Sequence, residues 1–133
     1  MLKHITTRVI QSPLTTALRT TRNFHSTTFT MVKQVQGLEN FKKEIASPSL
    51  TVVDFYATWC GPCKMVAPVI EKLSETVKEA NFIKVDVDES PDVASEYGIS
   101  AMPTFMFFKN GEKIETVIGA NVGKLQASVK ALV

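Results

Sequence analysis

The chain has 133 residues, of which 44% are hydrophobic, and it carries two cysteines and a formal net charge of +2. This length suits a single domain that buries its own core, and two cysteines cannot form a structural disulfide framework. No apolar run is long enough for a membrane span or for the core of a secretory signal. The charge is uneven along the chain, because the positive excess lies in the first thirty residues.

Residues 1–30 differ in composition from the rest of the chain. They contain four Lys or Arg and eleven Ser or Thr, with no Asp or Glu. This composition is typical of an organelle transit peptide, most often mitochondrial, and the alternative is a solvated basic tail. Residues 22–26 resemble the arginine-directed cleavage sites of mitochondrial presequences. We therefore expect cleavage between Phe24 and Met31.

Removing residues 1–30 leaves 103 residues with 11 Lys or Arg against 13 Asp or Glu, a net charge of −2. The net positive charge of the whole chain therefore comes from residues 1–30, the leader, and does not indicate nucleic-acid binding. Both histidines, His4 and His25, lie in the leader. A four-ligand zinc site of thiolates and imidazoles cannot then be completed within one subunit, which leaves only a cluster shared between two subunits.

After the leader, strand and helix patterns alternate along the chain. The run from Leu50 to Ala57 is almost wholly apolar, as a central strand covered on both faces requires, and Asn110-Gly111 is a strong hairpin signal. The order β-α-β-α-β-α-β-β-α predicts one α/β domain over residues 31–133, a mixed sheet with helices on both faces. The predicted strands are 31–35, 50–57, 82–87, 104–108 and 113–118, and the predicted helices are 38–45, 64–77, 90–97 and a last helix after Asn121.

The two cysteines, Cys60 and Cys63, lie between the central strand and the second helix. In this setting a C-x-x-C pair indicates redox chemistry. Cys60 falls just before the helix, where unpaired N–H groups and the macrodipole favour a thiolate, and Lys64 adds a positive charge. Gly61 lets the turn close, and Pro62 sits where a missing N–H costs little. We expect Cys60 to attack a substrate disulfide and the less exposed Cys63 to resolve the mixed disulfide.

Asp54 is the one charged residue of the central strand. Burial there should raise its pKa by desolvation, and with no histidine nearby it is the best candidate to take the proton from Cys63. The alternative is a polar strand residue satisfied by backbone groups. Lys84, on the next inner strand, is expected either to pair with Asp54 or to be an exposed edge lysine.

Pro103 opens a predicted strand, a position where proline needs an edge or an irregularity. A cis bond there would hold the chain open beside the dithiol, although only about one X–Pro bond in twenty is cis in folded proteins. Trp59, Met102 and Ala120 are either ordinary core residues or an apolar rim for the peptide that carries the target disulfide. The expected substrate-binding surface consists of Trp59, Gly61, Pro62, Met102, Pro103, Gly119 and Ala120.

These residues match a known family. Residues 53–64, from Val53 through the Trp-Cys-Gly-Pro-Cys pentapeptide to Lys64, resemble the thioredoxin active-site segment almost position for position. The match continues in order and spacing over residues 31–133. Met102 stands where isoleucine is common and Ala101 where glycine often occurs, and both bear on substrate preference more than on chemistry. The further matching segments are Lys84–Asp88, Tyr97–Ile99, Met102–Thr104 and Phe108–Gly111.

The resemblance implies the thioredoxin fold and a thiol–disulfide oxidoreductase that reduces protein disulfides. It implies that Cys60 is the nucleophile, Cys63 the resolving thiol, Asp54 the buried acid and Lys84 its neighbour. It also implies that Pro103 is cis, and that Met102 offers backbone hydrogen bonds to substrate. Thioredoxins are re-reduced by a flavin-containing, NADPH-dependent thioredoxin reductase. NADPH therefore acts indirectly, with no cofactor bound to this chain.

With its leader, the chain resembles the mitochondrial members of this family. That resemblance implies a part in mitochondrial redox homeostasis in the matrix, with disulfide-containing substrates such as peroxiredoxins. We expect a monomer that binds neither nucleic acid nor, after processing, membrane. A glutaredoxin would carry Pro-Tyr between its cysteines, and a secretory isomerase more often Gly-His. A binding subunit that uses the apolar rim independently of the dithiol remains the alternative from another functional class.

Overall fold

The computed structural model describes residues 31–133. The expected transit peptide and its cleavage region fall on residues 1–30, outside the described residues. Among the helices described, none is both long and apolar enough to cross a membrane. The strands are β1 (Val32–Gln34), β2 (Leu50–Tyr56), β3 (Ala80–Asp86), β4 (Thr104–Lys109) and β5 (Glu112–Ile118), and the helices are α1 (Leu38–Ile45), α2 (Gly61–Thr76), α3 (Pro91–Glu96) and α4 (Val122–Leu132).

The five strands form one mixed sheet in the order β1-β3-β2-β4-β5. β3 pairs in parallel with both β1 and β2, whereas β4 runs antiparallel to β2 and β5. β2 is therefore central, which agrees with its apolar sequence and confirms the predicted mixed sheet. The turn between β4 and β5 holds Asn110 and Gly111 at φ 52° and 79°, the left-handed region in which asparagine and glycine are favoured.

Alternate residues of β2 point to opposite faces of the sheet, and helices cover both faces. Val52 packs in the cluster that contains Ile70 of α2 and Leu125 of α4. Val53 packs in the opposite cluster, with Phe41 of α1. Because side chains two residues apart on a strand share a face, Asp54 shares the face of Val52. The alternation of side chains along β2 therefore places Asp54 beneath α2, the helix that carries the second cysteine.

Two element boundaries differ from the sequence prediction in a way that matters for the site. α2 begins at Gly61, three residues before the predicted start, so Cys63 lies in its first turn. The apolar periodicity of α2 starts only at Val66, so the sequence pattern did not predict that residues 61–63 belong to the helix. β3 ends at Asp86, and the backbone N–H of Val87 donates to Tyr56 O at 3.0 Å.

The predicted start of α4 after Asn121 is confirmed, and Asn121 caps the helix, since its Oδ1 accepts the backbone N–H of Lys124 at 3.0 Å. We expect Asn121→Ala to lower the free energy of unfolding by about 1 kcal/mol, because it leaves a helix donor without its partner. Asn121→Ser should recover most of that loss, since serine also caps. Urea unfolding of both variants measures the effect, and equal stability of the two would contradict it.

Candidate active site

The dithiol lies where the carboxyl end of β2 turns into α2. Cys60 is the residue immediately before the helix, and its backbone N–H donates to Ala57 O at 3.2 Å. Its sulfur accepts the backbone N–H of Cys63 at 3.2 Å. The two cysteines form a disulfide with Cα atoms 5.3 Å apart. The pair is therefore close enough for reversible disulfide chemistry, as the spacing predicts.

The environment of Cys60 favours negative charge on its sulfur. A helix N-terminus presents unpaired N–H groups and a partial positive charge, and the first turn of α2 has no acidic residue. In the disulfide form the two residues are almost equally buried, with 5% of Cys60 and 4% of Cys63 exposed. Cys63 was expected to be clearly less exposed than Cys60, but in the disulfide form the difference between them is very small. Position distinguishes the two, because Cys60 caps the helix whereas Cys63 lies inside it.

Asp54 is buried, with only 7% of its surface exposed. Its Oδ1 has no hydrogen-bond partner among residues 31–133, so the alternative of a backbone-satisfied carboxyl is wrong for this oxygen. Desolvation raises the pKa of Asp54 from 3.8 to about 7, and the positive charge of Lys84 offsets only part of that rise. Lys84 is the direct neighbour of Asp54 in the parallel register of β2 and β3.

A cavity of about 290 Å³ lies between α2 and the sheet and joins these groups. Its walls include Asp54, Lys84 and Cys63, so the structure brings three of the predicted site residues around one space. A water molecule occupies about 30 Å³ of liquid volume, which leaves room for a water between carboxyl and sulfur. The remaining lining residues are Tyr56, Ala57, Thr58, Lys64 and Ala67.

Tyr56 was not singled out from the sequence, although it follows Asp54 by two residues on the same face of β2. The ammonium of Lys84 lies 5.7 Å from the centroid of the Tyr56 ring, within the range of a cation–π interaction. Lys84 is partly buried and faces both the ring and the carboxyl. The alternative of an exposed edge lysine is therefore wrong, because β3 also lies between β1 and β2.

On the other side of the dithiol, the Met102–Pro103 peptide bond is cis, as the resemblance implies. Pro103 O accepts the backbone N–H of Gly119 at 2.8 Å, and the Thr104 hydroxyl donates to Ala101 O at 2.6 Å. Met102 packs against the cluster formed by the two cysteines and Ala57. The loop before β4 and the end of β5 are thus tied together next to the dithiol.

Most of the predicted rim is accessible from solvent. Trp59 is 67% exposed, Ala120 is exposed and Met102 is partly buried, so the core alternative is wrong for Trp59 and Ala120. Gly61 and Pro62 are also exposed.

Within residues 31–133, no group of three or more His, Cys, Asp or Glu side chains is arranged to hold a metal ion.

Trp59 is held by a residue to which the sequence reasoning assigned no role. Its indole Nε1 donates to Asp88 Oδ2 at 2.9 Å, and the Asp88 backbone N–H donates to Asp86 Oδ1 at 2.9 Å. Asp88 follows β3, 29 residues along the chain from Trp59. The pairing depends on the parallel alignment of β2 and β3, which no local pattern reveals.

Because Trp59 is the only tryptophan of the chain, tryptophan fluorescence reports the mobility of this one side chain. We expect Asp88→Ala to free the indole ring, to lower its fluorescence anisotropy and to raise KM for protein disulfides about two- to fivefold, as loss of one hydrogen bond implies. Glu89→Ala is the matched control, since Glu89 bonds Gln34 and Gln36 instead. The same response from both variants would contradict the assignment.

Comparison with known proteins agrees with this geometry. The model of the thioredoxin family matches residues 32–131. The chain belongs to the thioredoxin family. It is 55% identical to thioredoxin-1 of Schizosaccharomyces pombe over 101 residues, which cover 76% of this chain and 98% of that protein. Family members are thiol–disulfide oxidoreductases, so the Cys60–Cys63 pair is a redox-active centre.

Two solved structures are similar over 76% of this chain and 95% of theirs, each at 44% identity with a TM-score of 0.73. One is the oxidised form of mitochondrial thioredoxin 3 from Saccharomyces cerevisiae. The other comes from work on thiol resolution in a yeast mitochondrial 1-Cys peroxiredoxin by the glutathione and thioredoxin systems. As a member of the family, this chain is a protein-disulfide reductase that NADPH-dependent thioredoxin reductase returns to the dithiol form.

Proposed function

We propose that this member of the thioredoxin family reduces protein disulfides in the mitochondrial matrix, with Cys60 as nucleophile, Cys63 as resolving thiol and Asp54 as the proton acceptor. The observation that carries the proposal is the arrangement around one helix end. Cys60 caps α2 and accepts an N–H there, while Cys63 and Asp54 line one cavity behind it. Each of the three groups is therefore placed for a different step.

In the first step the Cys60 thiolate attacks one sulfur of the substrate disulfide. A bond forms between that sulfur and Cys60 Sγ, the substrate S–S bond breaks, and the released substrate thiolate takes a proton from solvent. The thiolate is the reactive species. The N–H donated to Cys60 Sγ and the helix N-terminus stabilise it before attack.

In the second step Cys63 attacks Cys60 Sγ and expels the remaining substrate thiolate. Cys63 must lose its proton, and Asp54 receives it across the cavity, directly or through a water. A pKa of about 7 suits this task, because a carboxyl with this pKa both accepts and releases a proton near neutral pH. Lys84 limits the rise of that pKa. The departing thiolate takes a proton from solvent, so the substrate leaves as a dithiol. Asp54 releases its proton to solvent, and the enzyme is left with the Cys60–Cys63 disulfide.

The target peptide is proposed to lie across the accessible surface around Cys60. Trp59, Gly61 and Pro62 form one side of this surface, and Gly119 and Ala120 form the other. Between them Met102, next to cis-Pro103, would offer its backbone N–H and C=O to an extended peptide. Such hydrogen bonds are independent of the partner's side chains, which suits an enzyme with many substrates.

Residues 1–30 are proposed to be the cleaved transit peptide and residues 31–133 the mature domain. The basic, acid-free leader and the similarity to mitochondrial thioredoxin 3 of yeast support this proposal, and the family match begins at residue 32. A peroxiredoxin is a fitting substrate class, and we propose that the mature chain acts as a monomer. Mass spectrometry of the protein from isolated mitochondria tests both the location and the mature N-terminus.

The test of the activity is reduction of insulin disulfides by the purified chain with NADPH and thioredoxin reductase. We expect NADPH oxidation that depends on both proteins and that is accompanied by precipitation of the free insulin B chain. The same chain alkylated at its cysteines is the control. No turnover by the unmodified chain under these conditions would overturn the proposal.

A further inference from the structure

The outward side of α2 has an unusual composition over its first nine residues. The helix buries Cys63, Val66, Ile70 and Ser74, and with 3.6 residues per turn the opposite side points to solvent. Solvent-facing sides of surface helices ordinarily carry charged or polar residues. Here that side has no charged or hydrogen-bonding side chain, and we call it the Met65 face: it consists of Gly61, Pro62, Met65, Pro68 and Val69.

Met65 stands at the middle of this face. It is 78% exposed, more than any other large hydrophobic residue of the described part of the chain. Pro62 precedes it by three residues and Val69 follows it by four, which places all three along one line on the helix surface. Substantial apolar area is therefore left in water beside the active site, and exposed apolar patches of this kind mark contact surfaces.

The Met65 face is continuous with the point at which any disulfide partner must dock. It begins at Gly61, the residue after Cys60. Only 5% of Cys60 is exposed, so a partner reaches its sulfur only by lying closely against the neighbouring surface. From Gly61 to Val69 the helix rises about 12 Å, the span of three or four residues of an extended peptide.

Within α2, the only charge alongside the Met65 face is positive. Between Phe55 and Ile70 the only charged residue is Lys64, and Lys72 follows one turn beyond the face. The first acidic residue of the helix is Glu71. This arrangement attracts acidic side chains and opposes a second copy of the same face, because Lys64 and Lys72 of the two copies would be brought together.

We propose that the Met65 face binds an apolar segment with acidic neighbours that lies beside the target disulfide in the partner protein. This inference rests on the proposed function and adds a determinant of substrate choice to it. Substrates with such a segment gain binding energy from burial of Met65, which a small disulfide without flanking chain cannot obtain.

The test uses two synthetic peptides with the same intramolecular disulfide, one flanked by Leu and Glu residues and the other by Gly and Ser. The full chain is assayed with each peptide and with a small aromatic disulfide, and kcat/KM is compared. Met65→Gln removes apolar character without adding charge, whereas Met65→Leu keeps it. Thr76→Glu adds a charge on the same side of α2, about 16 Å beyond Met65 along the helix axis.

We expect the wild-type chain to prefer the Leu/Glu peptide at least fivefold. Met65→Gln should lose most of this preference, while Met65→Leu and Thr76→Glu keep it and all four proteins reduce the small disulfide at similar rates. An unchanged preference in Met65→Gln, or no preference in the wild-type chain, overturns the inference. So does a dimer that Met65→Gln dissociates in sedimentation while the preference stays. Failure of the wild-type chain to reduce even the small disulfide would instead refute the proposed function itself.

Discussion

Cys63→Ser is expected to abolish steady turnover of protein disulfides and to accumulate a covalent complex through Cys60. Cys60 still attacks, because its position at the start of α2 and the N–H from residue 63 remain. The mixed disulfide then persists, since serine cannot displace the bound substrate thiol. We expect turnover to fall by at least about 100-fold, because exchange needs a second thiolate to complete it. Non-reducing gels and intact-protein mass spectrometry measure the complex.

Cys60→Ser provides the matched comparison, because it removes the attacking sulfur and keeps the other. It should be as inactive as Cys63→Ser and should trap no substrate. The reverse pattern, with complex in Cys60→Ser only, would contradict the assigned roles. The variant with both cysteines replaced tests the alternative of a dithiol-independent binding subunit, which would keep its function without either sulfur.

Asp54→Asn is expected to stabilise the folded protein at neutral pH. Because burial raises the pKa of Asp54 from 3.8 to about 7, the folded state binds this proton more tightly than the unfolded state. The contribution of Asp54 to stability is therefore complete below about pH 4 and is lost as the pH rises to about 7. At pH 8 the ionised carboxyl costs up to about 4 kcal/mol, which asparagine avoids.

Urea unfolding of the disulfide form at several pH values measures this effect. The difference in unfolding free energy between Asp54→Asn and wild type should be small at pH 4, should grow with pH, and should level off above pH 7. Glu112→Gln removes an exposed carboxylate of β5 and serves as the control with no such trend. A stability difference that is the same at pH 4 and pH 8 would show that the carboxyl is not the cause.

The same substitution should slow the chemistry while it strengthens the fold. Without a group to accept the Cys63 proton, resolution of the mixed disulfide is expected to slow by at least about tenfold, within the range of general-base contributions. In the wild-type chain the resolution rate should rise with pH through about 7, and Asp54→Asn should lose this rise. Rapid-mixing measurements with a preformed mixed disulfide separate this step from the first attack.

Much of the fold was predictable from local patterns, because each helix or strand has its own apolar periodicity and is bounded by turn or capping residues. The apolar run of β2 predicted a central strand, and Asn110-Gly111 predicted the hairpin. Asp54 was identifiable as buried, since a charge inside such a run has no solvent on either side. The start of α2 was less clear, because its first turn is formed by Gly61, Pro62 and a cysteine cap rather than by a repeating apolar side chain.

The sequence by itself determined that Cys60 and Cys63 form a redox pair at the start of a helix, because the spacing, the turn residues and the flanking strand and helix are all local. Only the tertiary structure decided which groups lie around that pair. The parallel register of β2 and β3 sets Lys84 opposite Asp54 and brings Asp88 to Trp59, and the packing of α2 on the sheet encloses Asp54 and Cys63 around one cavity. These contacts join residues 9 to 30 positions apart and depend on how whole strands and helices pack, so no local pattern could specify them.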